Sequence, residues 1–151
     1  MGALDGVKAI ELAGIGPGPF CGMMLADMGA DVVRVDRASS VGKSYSEFPQ
    51  SDVLSRGRRS IGVDLKHPEG RKIIMSLIKE ADMLFEGFRP GVAERLGVGP
   101  EDCLAHNSKL VYGRMTGWGQ EGPYASSAGH DINYIALAGV LAHLGRSDTG
   151  P

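Results

Sequence analysis

The sequence predicts an α/β fold, an open and mostly parallel sheet with flanking helices. Three observations carry that reading. Short apolar runs rich in β-formers alternate with segments whose apolar residues recur at helical spacing, and clusters of Gly and Pro close most of the runs. The strand, helix and strand that open the chain also have the combined length of a βαβ unit, whose crossover is right-handed and whose strands are parallel.

Taken in order, Val7 to Leu12 (VKAIEL) is a short run ended by a Gly/Pro cluster and predicts a buried strand. The helix that follows carries Pro19 in its first turn, Phe20, Met23, Met24 and Met28 at helical spacing, and Gly29 as its stop. Asp31 to Asp36 is the second strand and Ser60 to Leu65 the third. Pro68 opens a helix with Ile73, Ile74, Leu77, Ile78 and Ala81 on one face, after which Met83 to Phe85 and Leu110 to Met115 supply two more strands. Segments 37–59 and 116–129, rich in Gly, Ser, Pro and charge, are expected as long loops over the C-terminal edge of the sheet, where open α/β sheets bind ligands. The last helix takes Asp131 as its N-cap, places Tyr134, Leu137, Ala138, Leu141 and Leu144 on one face and ends at Gly145, so His130 stands at its mouth. Residues 1–151 are expected to form one α/β domain cut short at its C-terminal end, because the loop after Gly145 leads into no further element.

Composition narrows the function classes. Of 151 residues, 42% are hydrophobic and 23% charged, as in an ordinary globular protein. No window approaches the about 18 uninterrupted apolar residues of a membrane span, and no charged-then-apolar leader opens the chain, so no membrane association and a cytoplasmic location are expected. Cys21 and Cys103 form no CxxC pair and no two histidines have metal-site spacing, so reduced, mostly buried thiols and no metal are expected. Eight of the sixteen Lys and Arg lie between Arg37 and Lys72, although the net charge is −2. A local basic stretch suits a small polyanion better than nucleic acid, and on composition alone a solvated loop explains it equally well.

The segment Gly14-Ile15-Gly16-Pro17-Gly18-Pro19, between a strand and a helix and with Asp36 about 20 residues on, follows the order of a Rossmann dinucleotide-binding fingerprint. It fails in detail. Pro19 occupies the place of the third Gly or Ala, and Pro17 and Pro19 remove N–H groups from the turn that would cradle a pyrophosphate. A rigid structural turn is the better reading, with a nicotinamide cofactor as the alternative.

Five segments together resemble the family III CoA-transferases of CaiB/BaiF type, a family that also contains racemases. They are ELAGIGPGPFCGMMLADMGADVVRVDR at 11–37, VDLKHPEG at 63–70, LFEGFRPGVAERLG at 84–97, RMTGWGQEGP at 114–123 and AGHDINYIALAGVL at 128–141. The resemblance covers nearly the whole chain. The family's transferases generally carry an aromatic residue just before the aspartate that opens the last helix, whereas its racemases carry histidine, as in Gly129-His130-Asp131-Ile132-Asn133-Tyr134 here.

The resemblance implies a Rossmann-like N-terminal part of a larger enzyme, acting on an acyl-CoA thioester with no cofactor beyond that CoA, and an interlocked homodimer in the full-length protein. It implies inversion of the α-carbon of a 2-methylacyl-CoA through an enolate, with His130 and Asp131 as catalytic positions. An α-proton of a thioester needs a base and a donor for the developing enolate oxygen; an imidazole suits the first, and the backbone N–H of Asp131 at the helix mouth suits the second. CoA contacts are implied for Arg37, for Val63, Asp64, Leu65 and Lys66, for Gly87, Phe88 and Arg89, for Arg95, and for Gly129 to Tyr134, that is Gly129, His130, Asp131, Ile132, Asn133 and Tyr134. Taken singly, Arg37, Lys66 and Arg95 are ordinary surface charges, Asp131 and Asn133 serve equally as caps, and Tyr134 serves equally as core. A transferase of the same family and a non-catalytic CoA-binding piece are the alternatives, and the second acid of a two-sided proton transfer is expected beyond residue 151. His67, before Pro68, His106, in an expected loop, and His143, off the apolar face of the last helix, are assigned no chemistry.

Overall fold

The computed structural model describes residues 2–41, 52–146, 148 and 150. The chain falls into two compact units, 1–115 and 116–151.

The first unit carries strands β1 (Lys8–Leu12), β2 (Asp31–Arg37), β3 (Arg59–Val63), β4 (Met83–Glu86) and β5 (Val111–Arg114), all parallel, in the order β3-β2-β1-β4-β5. Each predicted strand is present, with boundaries moved by one or two residues. Side chains alternate across the sheet as a period of two requires. Ile10, Leu12, Val35, Val63 and Leu84 join one buried cluster with Ile74 and Ile78, while Ala9, Val32 and Phe85 join the other with Ala30. Central β1 is therefore buried on both faces, as its short run of Ala9, Ile10 and Leu12 predicts, with Glu11 buried among them.

Helix α1 (Pro17–Asp27) starts at Pro17, two residues before Pro19, because Gly16 at φ 69° makes the turn and Pro17 supplies the first helical position. Its predicted stripe is corrected. Phe20, Met24 and Met28 are exposed, and the buried face is Gly18, Pro19, Gly22 and Met23. Part of the cause lies on β1: a Cβ on Gly22 would stand 2.3 Å from Glu11 Oε2, so the helix needs glycine where it passes this carboxylate. Gly29, at φ 102°, ends the helix as expected.

In α2 (Pro68–Lys79), His67 is the N-cap, its Nδ1 accepting from Glu69 N–H at 3.2 Å. Ile74 and Ile78 are fully buried, whereas Ile73, expected on the same face, is exposed. Two helices were not predicted: α3 (Val92–Arg95), opened by Gly91 at φ 77°, and α4 (Pro100–His106). His106 therefore ends a helix, with Nδ1 2.9 Å from Asp102 O, instead of lying in a loop. Cys103 of α4 is buried, which pushes its thiol up to about 12, and Cys21 is half-buried. Both are free thiols.

In the second unit the predicted single helix is shorter and broken. Helix α5 covers Asp131–Leu137, Gly139 at φ 78° interrupts it, and a 3-10 turn, Val140–His143, follows. The N-cap is His130, one residue before the predicted Asp131. Among the described residues no helix is long and apolar enough to cross a membrane.

Candidate functional site

Because the five strands are parallel, their C-terminal ends share one edge. Arg37 closes β2 there, in register with Val63 of β3, and Gly87, Phe88 and Arg89 leave the end of β4. The structure thus gathers along one edge the positions the resemblance tied to CoA between 37 and 89. It also sorts them. Val63 is buried in the core and Leu65 and Phe88 pack against it, so these side chains hold the loops in place. Asp64 shapes its turn: Oδ1 accepts from Lys66 N–H at 3.0 Å and its carbonyl accepts from His67 N–H at 3.1 Å. A Cβ on Gly70 would stand 2.0 Å from Asp64 O, so this turn requires glycine there. What remains exposed is Arg37, Lys66 and Arg89, with Arg95 on α3.

The basic stretch divides in the same way. Arg56 pairs with Asp27 through two hydrogen bonds of 3.0 and 2.5 Å, Arg59 pairs with Asp31 at 2.6 Å, and Arg58 pairs with Glu11. The Arg58–Glu11 pair is almost fully enclosed, and Arg58 also donates to Leu54 O. Arg56 holds the Asp27 carboxyl below its ordinary value through that hydrogen bond. Residues 52–58 are therefore fastened to α1 and β1, not laid over the binding edge; 42–51, including Lys43, lie outside the described residues. Lys72 pairs with Glu69 at 2.6 Å, so four of the cations counted in the sequence are taken up by carboxylates of the scaffold. Among the described residues Arg37, Lys66 and Arg89 have no carboxylate partner, while the Arg95 charge acts on the Glu94 carboxyl.

Sequence reasoning missed Glu86, a buried carboxylate at the end of β4. Its Oε2 accepts from Phe88 N–H at 2.5 Å, and Arg114 lies 3.8 Å from Oε1 while also pairing with Glu94. Burial raises the Glu86 carboxyl above its usual range, against the Phe88 N–H and the Arg114 charge. The available signal was an acid closing the apolar run MLFE at the binding edge. Burial likewise raises the Tyr112 hydroxyl, which donates to Val98 O at 2.9 Å.

In the second unit His130 is exposed and extended (φ −132°, ψ 166°) at the mouth of α5. Its N–H donates to Asn133 Oδ1 at 3.1 Å, so Asn133 is a cap. Tyr134 is half-buried against Trp118, with ring centroids 4.9 Å apart. Asp131 and Ile132 are exposed, and Gly129 lies against the Tyr134 ring. Among the described residues no group of three His, Cys, Asp or Glu side chains gathers as a metal site would.

Residues 4–151 match the model of CoA-transferase family III. The chain belongs to that family. It is 50% identical over 148 residues to the alpha-methylacyl-CoA racemase of Mus musculus, a match covering 98% of this chain and 37% of the relative. It is 38% identical over 157 residues to the succinyl-CoA–D-citramalate CoA-transferase of Chloroflexus aurantiacus, covering 98% of this chain and 39% of the relative. A solved CaiB/BaiF family protein from Brucella suis is 34% identical, with a TM-score of 0.86 over 99% of this chain and 43% of its own. The chain thus spans well under half the length of these relatives. The turn at Gly14 to Gly16 leads directly into α1, whose first-turn residues Gly18 and Pro19 are buried.

Proposed function

We propose that this chain is the N-terminal part of a racemase that inverts the α-carbon of 2-methylacyl-CoA thioesters. The observation that carries the reading is His130, a histidine at the exposed mouth of α5 in a chain half identical to a mouse alpha-methylacyl-CoA racemase. Arg37, Lys66 and Arg89, without carboxylate partners, and the exposed Arg95 would meet the phosphates of CoA, since guanidinium and ammonium groups are what a pyrophosphate and a ribose phosphate require. The backbone of Val63 to Lys66 and Gly87 to Arg89 would line the rest of the nucleotide.

His130 would take the α-proton, its backbone fixed by the Asn133 cap while the imidazole stays exposed. The N–H of Asp131, in the first turn of α5, would donate to the enolate oxygen. A second acid that returns the proton on the opposite face would come from the length of the relatives that this chain does not span. No cofactor beyond the substrate's own CoA enters the scheme, and the full-length enzyme would act as a homodimer.

The second reading, a transferase in which an aspartate carboxylate attacks the thioester, is favoured by the 38% identity to the Chloroflexus enzyme. Solvent deuterium entering the α-carbon without any acceptor acid distinguishes the first; exchange of CoA between two acids distinguishes the second. In the full-length enzyme, His130→Ala should suppress α-deuterium exchange by about 10²–10⁴ while leaving CoA binding nearly intact. Near-normal exchange in that variant removes His130 from the mechanism.

A further inference from the structure

Nothing in the chemistry above uses Trp118, yet the second unit is built around it. Its indole Nε1 donates to Ala128 O at 3.3 Å, two residues before His130. Its ring meets Tyr134 edge-on at 4.9 Å and 64°, and Tyr124 at 5.4 Å. Between the two aromatic side chains runs Gly129, where a Cβ would stand 2.4 Å from Tyr134 Oη and 2.8 Å from Trp118 Nε1. Gly117 is as tightly placed, with 2.1 Å to Tyr134 Oη. The chain entering His130 is thus held by a hydrogen bond and by two rings closing on a glycine. The chain leaving it is held by the Asn133 cap at 3.1 Å. The imidazole itself is exposed.

We propose that Trp118 is the positioning residue for His130, fixing the backbone from which the imidazole projects. The inference rests on the racemase reading only for its catalytic consequence. Trp118→Phe keeps an aromatic edge against Tyr134 and removes the N–H donor; Trp118→Ala removes both. In the full-length enzyme, exchange of the α-proton should fall about ten-fold in Trp118→Phe and further in Trp118→Ala, as a loss of kcat with KM and CoA affinity changed less than about two-fold.

A readout independent of catalysis is the histidine NMR spectrum of the same variants. The His130 amide and ring signals should shift in Trp118→Phe, and the His67 signals, from the capping turn of α2, should not. His130 signals left in place, with wild-type exchange in Trp118→Phe, would overturn the proposal even if Trp118→Ala fails to fold. A wild-type enzyme without α-exchange would overturn the racemase reading alone, because the His130 shifts still decide what Trp118 does.

Discussion

Residues 1–115 and 116–151 are held together by different forces. The first unit buries Ile10, Leu12, Val32, Ile74, Ile78 and Leu84 to 3% exposure or less, on both faces of a five-stranded sheet. Among the described residues of the second unit none is buried, and Ile132, Leu137, Val140 and Leu144 stand 46–65% exposed. It is organised by the Trp118–Tyr124–Tyr134 contacts, two glycines and a cap. The comparison teaches that, under the proposed function, binding and proton chemistry fall on parts of the chain with and without a buried core. Cations proposed for the phosphates stand on a sheet edge fixed by a core. The proposed base depends on a few local contacts, each individually weak.

The largest expected effect lies in the first unit. Arg58→Met would leave the Glu11 carboxylate enclosed and unpaired, at a cost of about 3–5 kcal/mol, and Glu11→Leu added to it should restore most of the loss. Denaturant midpoints of the single and double variants measure this; a single variant as stable as wild type would show that the enclosed pair is not what fastens 52–58.

Next come the two apolar environments. Ile78→Ala should cost about 2–5 kcal/mol, because it opens a cavity between α2 and the sheet. Leu137→Ala, at 65% exposure, should change stability by about 0.5 kcal/mol or less. Equal losses would erase the contrast between the units. Arg37→Ala should weaken CoA binding about ten-fold, with the remaining affinity less sensitive to salt, since it removes one phosphate contact from the sheet edge. Calorimetry on the full-length enzyme at two ionic strengths reads both quantities, and unchanged affinity would detach Arg37 from the nucleotide.

The smallest effect is a pH dependence. Burial raises the Glu86 carboxyl above 4.5, so the folded state keeps that proton to higher pH than the unfolded state does. Stability from this group is then greatest below the unfolded value and declines as pH rises through the folded one. Compared with Glu86→Gln, the wild type should gain stability as pH falls from neutral towards 4.5, read from paired urea titrations. A loss over that interval would mean that the Arg114 charge, not burial, governs Glu86.

The five strands, α2 and the position of His130 at a helix mouth were determined by sequence alone, because period-two and helical patterns, Pro at helix starts and Gly at stops act locally. Even α4 was legible in principle: Gly99, Pro100, Glu101 and Asp102 are a helix start with acids in the first turn. Which face of α1 turns inward was not legible. Four bulky residues mark one stripe, yet only Met23 of them is buried, and the helix passes the Glu11–Arg58 pair, which comes from elsewhere in the chain, at Gly22. Nor did the count of basic residues reveal which ones stay unpaired. Arg56, Arg58 and Arg59 find carboxylates 29, 47 and 28 residues away, and only the folding of β1, α1 and β2 against one another brings those partners within reach. A local pattern specifies what a residue can do, whereas the partner that already occupies it lies far along the chain and is chosen by tertiary packing.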